Sequence, residues 1–226
     1  MTLHLVTDRR RLTDSGDEDA RVRCLLEQAR FAASAGIDVI QVREHDLGGR
    51  ALASLTSALV NLTRRSRTRV VVNDRLDIAL AARADGVHLR GESFDAVQVR
   101  ACSRPGFLIG RSVRTPGQAA EAGPVDYLIA GTAYATRSKP DSQVFLGASG
   151  LEEIVRSTAV PVLAIGGVQP DRAGELARAG VAGIAAIGAW MSSEGMCRAV
   201  PLNDLAAAFR TAFEAANMGA DIPPAR

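Results

Sequence analysis

Short, mostly apolar runs alternate with longer amphipathic stretches along most of the chain, and this alternation constrains the fold more than any other feature. Eight runs have the composition of strands: residues 3–7, 38–42, 70–73, 86–89, 108–113, 127–131, 160–165 and 183–187. Continuous apolar runs are typical of parallel strands that are buried on both faces. Amphipathic stretches at 23–36, 51–65, 171–180 and 202–217 predict helices between or after them.

Eight strand-helix units in 226 residues occupy about 28 residues each, which predicts a compact α/β fold, a (β/α)₈ TIM barrel. A doubly wound open sheet has the same alternation and is the alternative. We favour the barrel because the run at residues 3–7 supplies a terminal strand with which the sheet can close. No linker interrupts the series, so we predict a single domain over residues 1–226. The N-terminal stretch 7–21 and the tail 218–226 are expected to be loosely held.

The charge balance argues against a nucleic-acid-binding protein. The net charge is +2 and aromatic residues make up only 4% of the chain. A short basic run, Arg64, Arg65, Arg67 and Arg69, has no aromatic residues interleaved with it, so it does not form a stacking platform for bases. We expect partners that are small molecules, with homo-oligomerisation left open.

Cysteine use and hydropathy predict a cytoplasmic protein. The three cysteines and three histidines show neither a CxxC pair nor the spacing of metal ligands, which favours a reducing compartment. No apolar run reaches the roughly 18 residues that a membrane span requires. The apolar start precedes the first charges, the reverse of the order in a signal peptide.

Polar residues follow the second, third and fourth predicted strands, at the barrel end where active sites form. Alternation places Gln41 and Arg43 on one face, towards the barrel mouth. Asp74, after Asn73, is suited either to bind a hard cation such as Mg²⁺ or to cap the next helix. Glu92, after the fourth strand, offers a second carboxylate. For residues 41–46 a charged surface loop is the alternative.

The later strands supply groups suited to anions. Ser112 follows in the fifth strand, and the loop after the sixth contains Thr136, Ser138 and Lys139, the only lysine beside 26 arginines. Hydroxyls, an ammonium and backbone amides are groups that bind a polyanion such as pyrophosphate. A plain surface loop and, less favoured, a Schiff-base lysine are the alternatives.

Glycines follow the seventh and eighth strands, where (β/α)₈ barrels commonly bind a phosphate through backbone amides. The seventh strand is followed by Gly166 and Gly167, and the eighth by Gly188 after Ile187. A glycine pair alone is often a turn, but the pairing with a second glycine on the adjacent strand predicts a phosphate site.

Seven segments in this order resemble the thiamine phosphate synthase family and its thiazole tautomerase relatives: VTD, QVRE, VNDRLDIAL, ADGVHL, IGRSV, TRSKPD and AIGGV. The resemblance covers residues 3–190. It implies a (β/α)₈ barrel and a transferase that joins hydroxymethylpyrimidine pyrophosphate to thiazole phosphate, with Mg²⁺ and release of pyrophosphate.

The resemblance also implies residue roles. Gln41 is then a pyrimidine-side residue, Asn73 a pyrophosphate-side residue and Asp74 a Mg²⁺ ligand. Arg43 is a pyrophosphate ligand, and the expected catalytic residues are Arg43, Ser112 and Lys139. The expected groups around pyrophosphate, thiazole and thiazole phosphate are Ser112, Thr136, Ser138, Lys139, Gly167, Ile187 and Gly188.

The chain departs from the pattern of the synthases at three positions. His45 stands where these usually have a lysine, Ser93 where they have a second Mg²⁺-binding aspartate, and Gly188 where they often have a serine. Glu92, one residue away from Ser93, is the substitute carboxylate. Arg114 stands where the tautomerases have a proposed acid-base histidine. The alternatives to the synthase are therefore a thiazole tautomerase and a non-catalytic binder of thiazole phosphate.

Overall fold

The computed structural model describes residues 1–136, 144–192 and 196–218, in which eight parallel strands pair in chain order and close into a barrel. This confirms the predicted (β/α)₈ fold, and the alternative of an open sheet is wrong. The strands are β1 Thr2–Val6, β2 Val39–Val42, β3 Arg69–Asn73, β4 Gly86–Leu89, β5 Leu108–Val113, β6 Tyr127–Gly131, β7 Val162–Ile165 and β8 Gly183–Ala186.

Helices follow the strands around the outside of the barrel. Those in the described ranges are α1 Glu18–Ser34, α2 Gly49–Thr63, α3 Leu76–Ala81, α4 Ala96–Ala101, α5 Pro116–Ala120, α6 Gly147–Arg156, α7 Pro170–Arg178 and α8 Asn203–Met218. Short 3₁₀ helices lie at Arg9–Arg11 and Gly188–Trp190. Among these described helices, none has the length and apolar character needed to cross a membrane.

The terminal strand β1 closes the barrel, as the sequence predicts. It pairs with β2, where His4 lies opposite Val39, and with β8, where Leu5 lies opposite Ala186. All eight carboxyl ends therefore lie at one end of the barrel, which we call the mouth.

Alternate strand residues fill two separate cores, which explains why the runs are continuously apolar. One set, represented by Leu5, Val72 and Ile184, packs against the surrounding helices. The other points into the barrel and includes the apolar cluster Val6, Tyr127, Ile129, Leu163 and Ala185. The Tyr127 ring fits because Gly110 has no side chain: a Cβ there would lie 2.1 Å from the ring.

Several predicted elements need correction at their ends. β7 begins at Val162, two residues later than predicted, because Pro161 has no amide hydrogen to donate within the sheet. The N-terminal stretch is also not loose, since Arg9 is 1% exposed and Leu12 is fully buried. α1 begins five residues earlier than predicted, and Asp17 caps it by accepting from the amides of Asp19 and Ala20. Residues 219–226 of the predicted loose tail lie outside the described residues.

Candidate active site

The barrel mouth brings most of the predicted site residues to one end of the molecule. Strand ends place Gln41 and Asn73 inside the mouth and put Arg43 and Asp74 on its rim, with Ser112 on the neighbouring part of the barrel. Thr136 ends the described part of the loop after β6. The predicted Ser138 and Lys139 lie outside the described residues.

Gln41 and Asn73 form a pair inside the mouth. The Gln41 side-chain amide donates to Asn73 Oδ1 at 2.8 Å, and Gln41 is 3% exposed. The buried Gln41 Oε1 has no hydrogen-bond partner among the described residues. A buried amide oxygen without a partner is costly, so this atom is suited to accept a hydrogen bond from a ligand.

Ser112 is held from below by a histidine that sequence reasoning did not single out. His88 Nε2 lies 2.9 Å from Ser112 Oγ, and His88 Nδ1 lies 3.3 Å from the Tyr127 hydroxyl. Burial lowers the pKa of His88 to about 3, so the imidazole is neutral at pH 7. His88 lies opposite Asn73 in the register of β3 and β4, and like Asn73 it points into the barrel. The alternation of side chains along the fourth predicted strand could have indicated this from the sequence.

Asp74 does not cap a helix, so that alternative is wrong. Its backbone has a φ of 57°, and its amide donates to the His88 carbonyl at 2.8 Å. Arg75 occupies the N-cap position of α3, which receives no side-chain cap. The Asp74 carboxylate instead accepts from Arg90, from the backbone N at 3.3 Å and from Nε at 2.6 Å.

A cavity of about 200 Å³ lies beside this pair, lined by Val42, Glu44, His45, Leu47, Leu52, Asn73, Asp74, Arg75 and Arg90. The pKa of His45 is lowered, first by partial burial and then by the positive charges of Arg43 and Arg90. His45 is therefore mostly neutral at pH 7. The positive charge at this edge of the mouth comes from the two arginines.

A buried arginine supports the segment after β2. Arg9 donates from its side chain to three carboxylates, Glu18, Glu44 and Asp46, and its backbone amide also contacts Glu44. Burial raises the pKa of Glu44 against the opposing effect of Arg9, while hydrogen bonds from Arg9 lower the pKa of Asp46 to about 2. Sequence reasoning missed Arg9, which fixes the position of the loop that carries His45.

The opposite edge of the mouth is built from backbone. Gly167 has a φ of 63°, and a Cβ there would lie 2.4 Å from the Ala135 carbonyl oxygen, so only glycine fits. The loop after β6 therefore lies directly against the end of β7. At the end of β8, a Cβ on Gly188 would lie 3.1 Å from Arg11 Nη2. Arg11, also missed from the sequence, brings a guanidinium to this predicted phosphate site.

Mg²⁺ stays a prediction for this mouth, with Asp74 as its first ligand. Both oxygens of Asp74 accept hydrogen bonds from Arg90, and Ser93 replaces a carboxylate. Within the part of the chain that the structure describes, no group of three or more His, Cys, Asp or Glu residues could hold a metal ion. The magnesium prediction, with Asp74 as ligand and Ser93 or Glu92 at the second position, therefore rests on the carboxylate in the sequence and on the resemblance.

Comparison with known proteins points to one family. A family model described as thiamine monophosphate synthase matches residues 5–190. A thiamine-phosphate synthase from Roseiflexus castenholzii is 38% identical over 83% of this chain and 79% of that protein. One from Azorhizobium caulinodans is 34% identical over 95% of each chain. The structure of thiamine phosphate pyrophosphorylase from Pyrococcus furiosus is similar with a TM-score of 0.75, at 33% identity over 95% of this chain and 96% of that one.

Proposed function

Because the chain belongs to the thiamine monophosphate synthase family, we propose that it is a thiamine-phosphate synthase that joins hydroxymethylpyrimidine pyrophosphate to thiazole phosphate. The observation that carries the proposal is that two edges suited to anions lie on opposite sides of one barrel mouth. We call the edge formed by Arg43, Asp74 and Arg90 the arginine side, and the edge formed by Gly167 and Gly188 the glycine side. Two phosphorylated substrates require two such edges.

The arginine side is suited to the pyrophosphate of the first substrate. The bond between the methylene carbon and the pyrophosphate oxygen breaks, and its electron pair leaves with pyrophosphate. The Arg43 side chain has no hydrogen-bond partner among the described residues. Its guanidinium is therefore available to stabilise the negative charge that develops on the pyrophosphate. The backbone of Arg43 is fixed because its amide donates to Thr7 Oγ1 at 2.9 Å. Ser138 and Lys139 are proposed to contribute from the loop after β6.

Gln41 and Ser112 are proposed to orient the reacting groups. The unpartnered Gln41 Oε1 accepts a hydrogen bond from the pyrimidine, and Asn73 holds its amide in place. The Ser112 hydroxyl is held by the neutral His88 next to the reacting centre. The thiazole nitrogen then uses its lone pair to form the new bond to the methylene carbon. Orientation of this kind lowers the entropic part of the barrier.

The glycine side is suited to the phosphate of the thiazole. Backbone amides near Gly167, Ile187 and Gly188 can approach an oxyanion closely because two of these residues lack side chains. Arg11 adds a guanidinium beside Gly188. We therefore assign thiazole phosphate to this edge, together with Thr136 from the loop after β6.

The cysteines Cys24, Cys102 and Cys197 are free thiols, which supports the proposed cytoplasmic location.

An assay with purified protein and both substrates tests the proposal. We expect release of pyrophosphate and formation of thiamine phosphate. Lys139→Ala should lower kcat/KM by a factor of about 10² to 10³, the usual size for the loss of a group that stabilises developing charge. Arg69→Ala, which removes an exposed arginine at the opposite end of β3, is the matched control and should stay near wild type.

Two results would contradict the proposal. One is wild-type protein that releases no pyrophosphate but aromatises the thiazole tautomer, which would make it a tautomerase. The other is tight binding of thiazole phosphate without turnover in either assay. Arg114 does not favour the tautomerase, because a guanidinium has N–H donors and no acceptor with which to take up a proton.

A further inference from the structure

Arg90 engages the one carboxylate that the resemblance assigns to a metal ion. It lies directly after β4, and its Nε donates to Asp74 Oδ2 at 2.6 Å while its backbone amide donates to Oδ1 at 3.3 Å. The Asp74 side chain is 14% exposed, whereas the Arg90 side chain is 70% exposed. A largely buried carboxylate is therefore neutralised by a guanidinium whose outer part faces solvent at the mouth.

The rest of the Arg90 guanidinium is available to a ligand. An arginine side chain has five N–H donors, and among the described residues Arg90 uses only its Nε–H. The group lines the cavity of about 200 Å³ together with Asn73 and His45. A planar guanidinium with free donors matches the oxygens of a phosphate group.

The other carboxylates around this cavity already have arginine partners. Glu44 and Asp46 both accept from the buried Arg9. Asp77, which follows the strand end, accepts from Arg75 at 2.6 Å. The charge that remains uncompensated by described residues is that of Arg43, on the same edge as Arg90. The carboxylates that line this cavity are therefore neutralised by arginines, and the nearest carboxylate without an arginine partner among the described residues is the exposed Glu92.

A metal ion at Asp74 would share the carboxylate with the Arg90 guanidinium or displace it, and in both cases it would lie beside a positive charge. Position 93, where the synthases have a second Mg²⁺-binding aspartate, is a serine, and the neighbouring carboxylate is that of the exposed Glu92. Both features weaken a metal site: a serine replaces one expected ligand, and a guanidinium already contacts the other.

We propose that Arg90 takes the place of the metal ion at this mouth, neutralising Asp74 and binding the pyrophosphate group directly. The proposal rests on the proposed function for the identity of the substrate. As the bond from the methylene carbon to the pyrophosphate oxygen breaks, the electron pair leaves with pyrophosphate, and Arg43 and Arg90 compensate its charge. Pyrophosphate binding by this chain is then independent of Mg²⁺.

Calorimetric titration with inorganic pyrophosphate tests this directly, in EDTA and in saturating Mg²⁺ at fixed ionic strength. The wild type should bind in EDTA with a Kd within about fivefold of its value in Mg²⁺. Arg90→Ala should weaken binding in EDTA by a factor of about 10 to 50, the range expected for a lost charge-assisted contact. Arg69→Ala, which breaks another exposed ion pair on the same strand as Asn73, should change Kd by less than about twofold.

A double variant separates direct binding from simple neutralisation of Asp74. Arg90→Ala with Asp74→Asn removes the repulsive carboxylate as well as the guanidinium. If Arg90 contacts pyrophosphate, the double variant stays at least about tenfold weaker than the wild type in EDTA. Recovery of wild-type affinity would overturn the proposal, and so would wild-type binding that requires Mg²⁺.

The synthase assay distinguishes this inference from the proposed function. The wild type should keep most of its turnover in EDTA, while Arg90→Ala should lose it. If no condition gives turnover but pyrophosphate binds without metal through Arg90, the proposed function fails and the role of Arg90 stands. If turnover and pyrophosphate binding both require Mg²⁺, the function stands and the role of Arg90 is overturned.

Discussion

The arginine side and the glycine side of the mouth are built to bind anions by different means. On the arginine side, Arg43 and Arg90 carry the charge and Asp74 is held by one of them. On the glycine side, Gly167 leaves the backbone open, and a Cβ there would overlap the Ala135 carbonyl oxygen. A side-chain site can be altered by one substitution without disturbing the fold, whereas a backbone site depends on the absence of side chains. Of the three departures from the synthase pattern, His45 and Ser93 lie after β2 and β4 beside the arginine side, and Gly188 lies on the glycine side.

The largest expected effect comes from removing the support of the arginine side. Arg9→Met should lower the free energy of unfolding by about 3 to 5 kcal/mol, because it leaves Glu44 buried without its partner. Urea denaturation measures this loss. Adding Glu44→Gln should recover a large part of it, since the uncompensated charge is then gone.

The same variants also test the comparison of the two sides. If Arg9 supports mainly the arginine side, Arg9→Met at a temperature where it is folded raises the KM for the pyrimidine pyrophosphate more than that for thiazole phosphate. Equal increases in both KM values would show that the two sides are not independent.

A single methyl group should damage the glycine side. Gly167→Ala places a Cβ 2.4 Å from the Ala135 carbonyl oxygen at a φ of 63°. We expect a loss of stability of about 2 to 4 kcal/mol from the left-handed backbone and the overlap together, and a raised KM for thiazole phosphate. Gly117→Ala, where a Cβ meets no atom within 4 Å, is the matched control. Wild-type kinetics in Gly167→Ala would remove this glycine from the phosphate site.

A smaller effect is expected from acid. Two imidazoles are buried in the barrel below the mouth, and their protonation lowers the stability of the folded state. Burial lowers the pKa of both His4 and His88 to about 3, against about 6.5 in the unfolded chain. Between these values the unfolded state binds more protons, so stability is fully present above about pH 6.5 and falls as the pH decreases. Each histidine contributes about 1.4 kcal/mol per pH unit in this window.

Denaturation at pH 7, 6 and 5 measures this dependence. His4→Leu should reduce the slope by the share of one histidine. His4 is the better choice because both of its ring nitrogens lack hydrogen-bond partners among the described residues, whereas His88 binds Ser112. An unchanged slope would mean that His4 is already charged in the folded barrel.

The fold was predictable because each strand carries its own signal. Strands β4, β5 and β6 have the predicted bounds, since their apolar runs end at polar or glycine residues. The burial of the stretch after β1 was not predictable. Its residues are mostly charged, and Arg9 becomes a core residue only because Glu44 and Asp46, on the segment after β2, lie next to it.

The same reasoning separates the predictable site residues from the others. Gln41 and Asn73 were found because strand parity and strand ends place them in the mouth, and they are hydrogen-bonded to each other there. Arg90 and Arg11 were missed because nothing in their local sequence indicates a partner. Arg90 acquires its role from Asp74, which follows the preceding strand, and Arg11 from Gly188, which is distant in sequence but follows the strand that pairs with β1. Roles of this kind depend on tertiary neighbours.

The pairing of β1 with β8 has a consequence for synthesis of the protein on the ribosome. Thr2–Val6 is made before the other seven strands, yet one of its two neighbours, Gly183–Ala186, is the last of the eight to be made. One edge of β1 therefore has no strand to pair with until most of the nascent chain has been produced. Unpaired apolar edges favour intermolecular association. Slow translation should accordingly increase the need for chaperones.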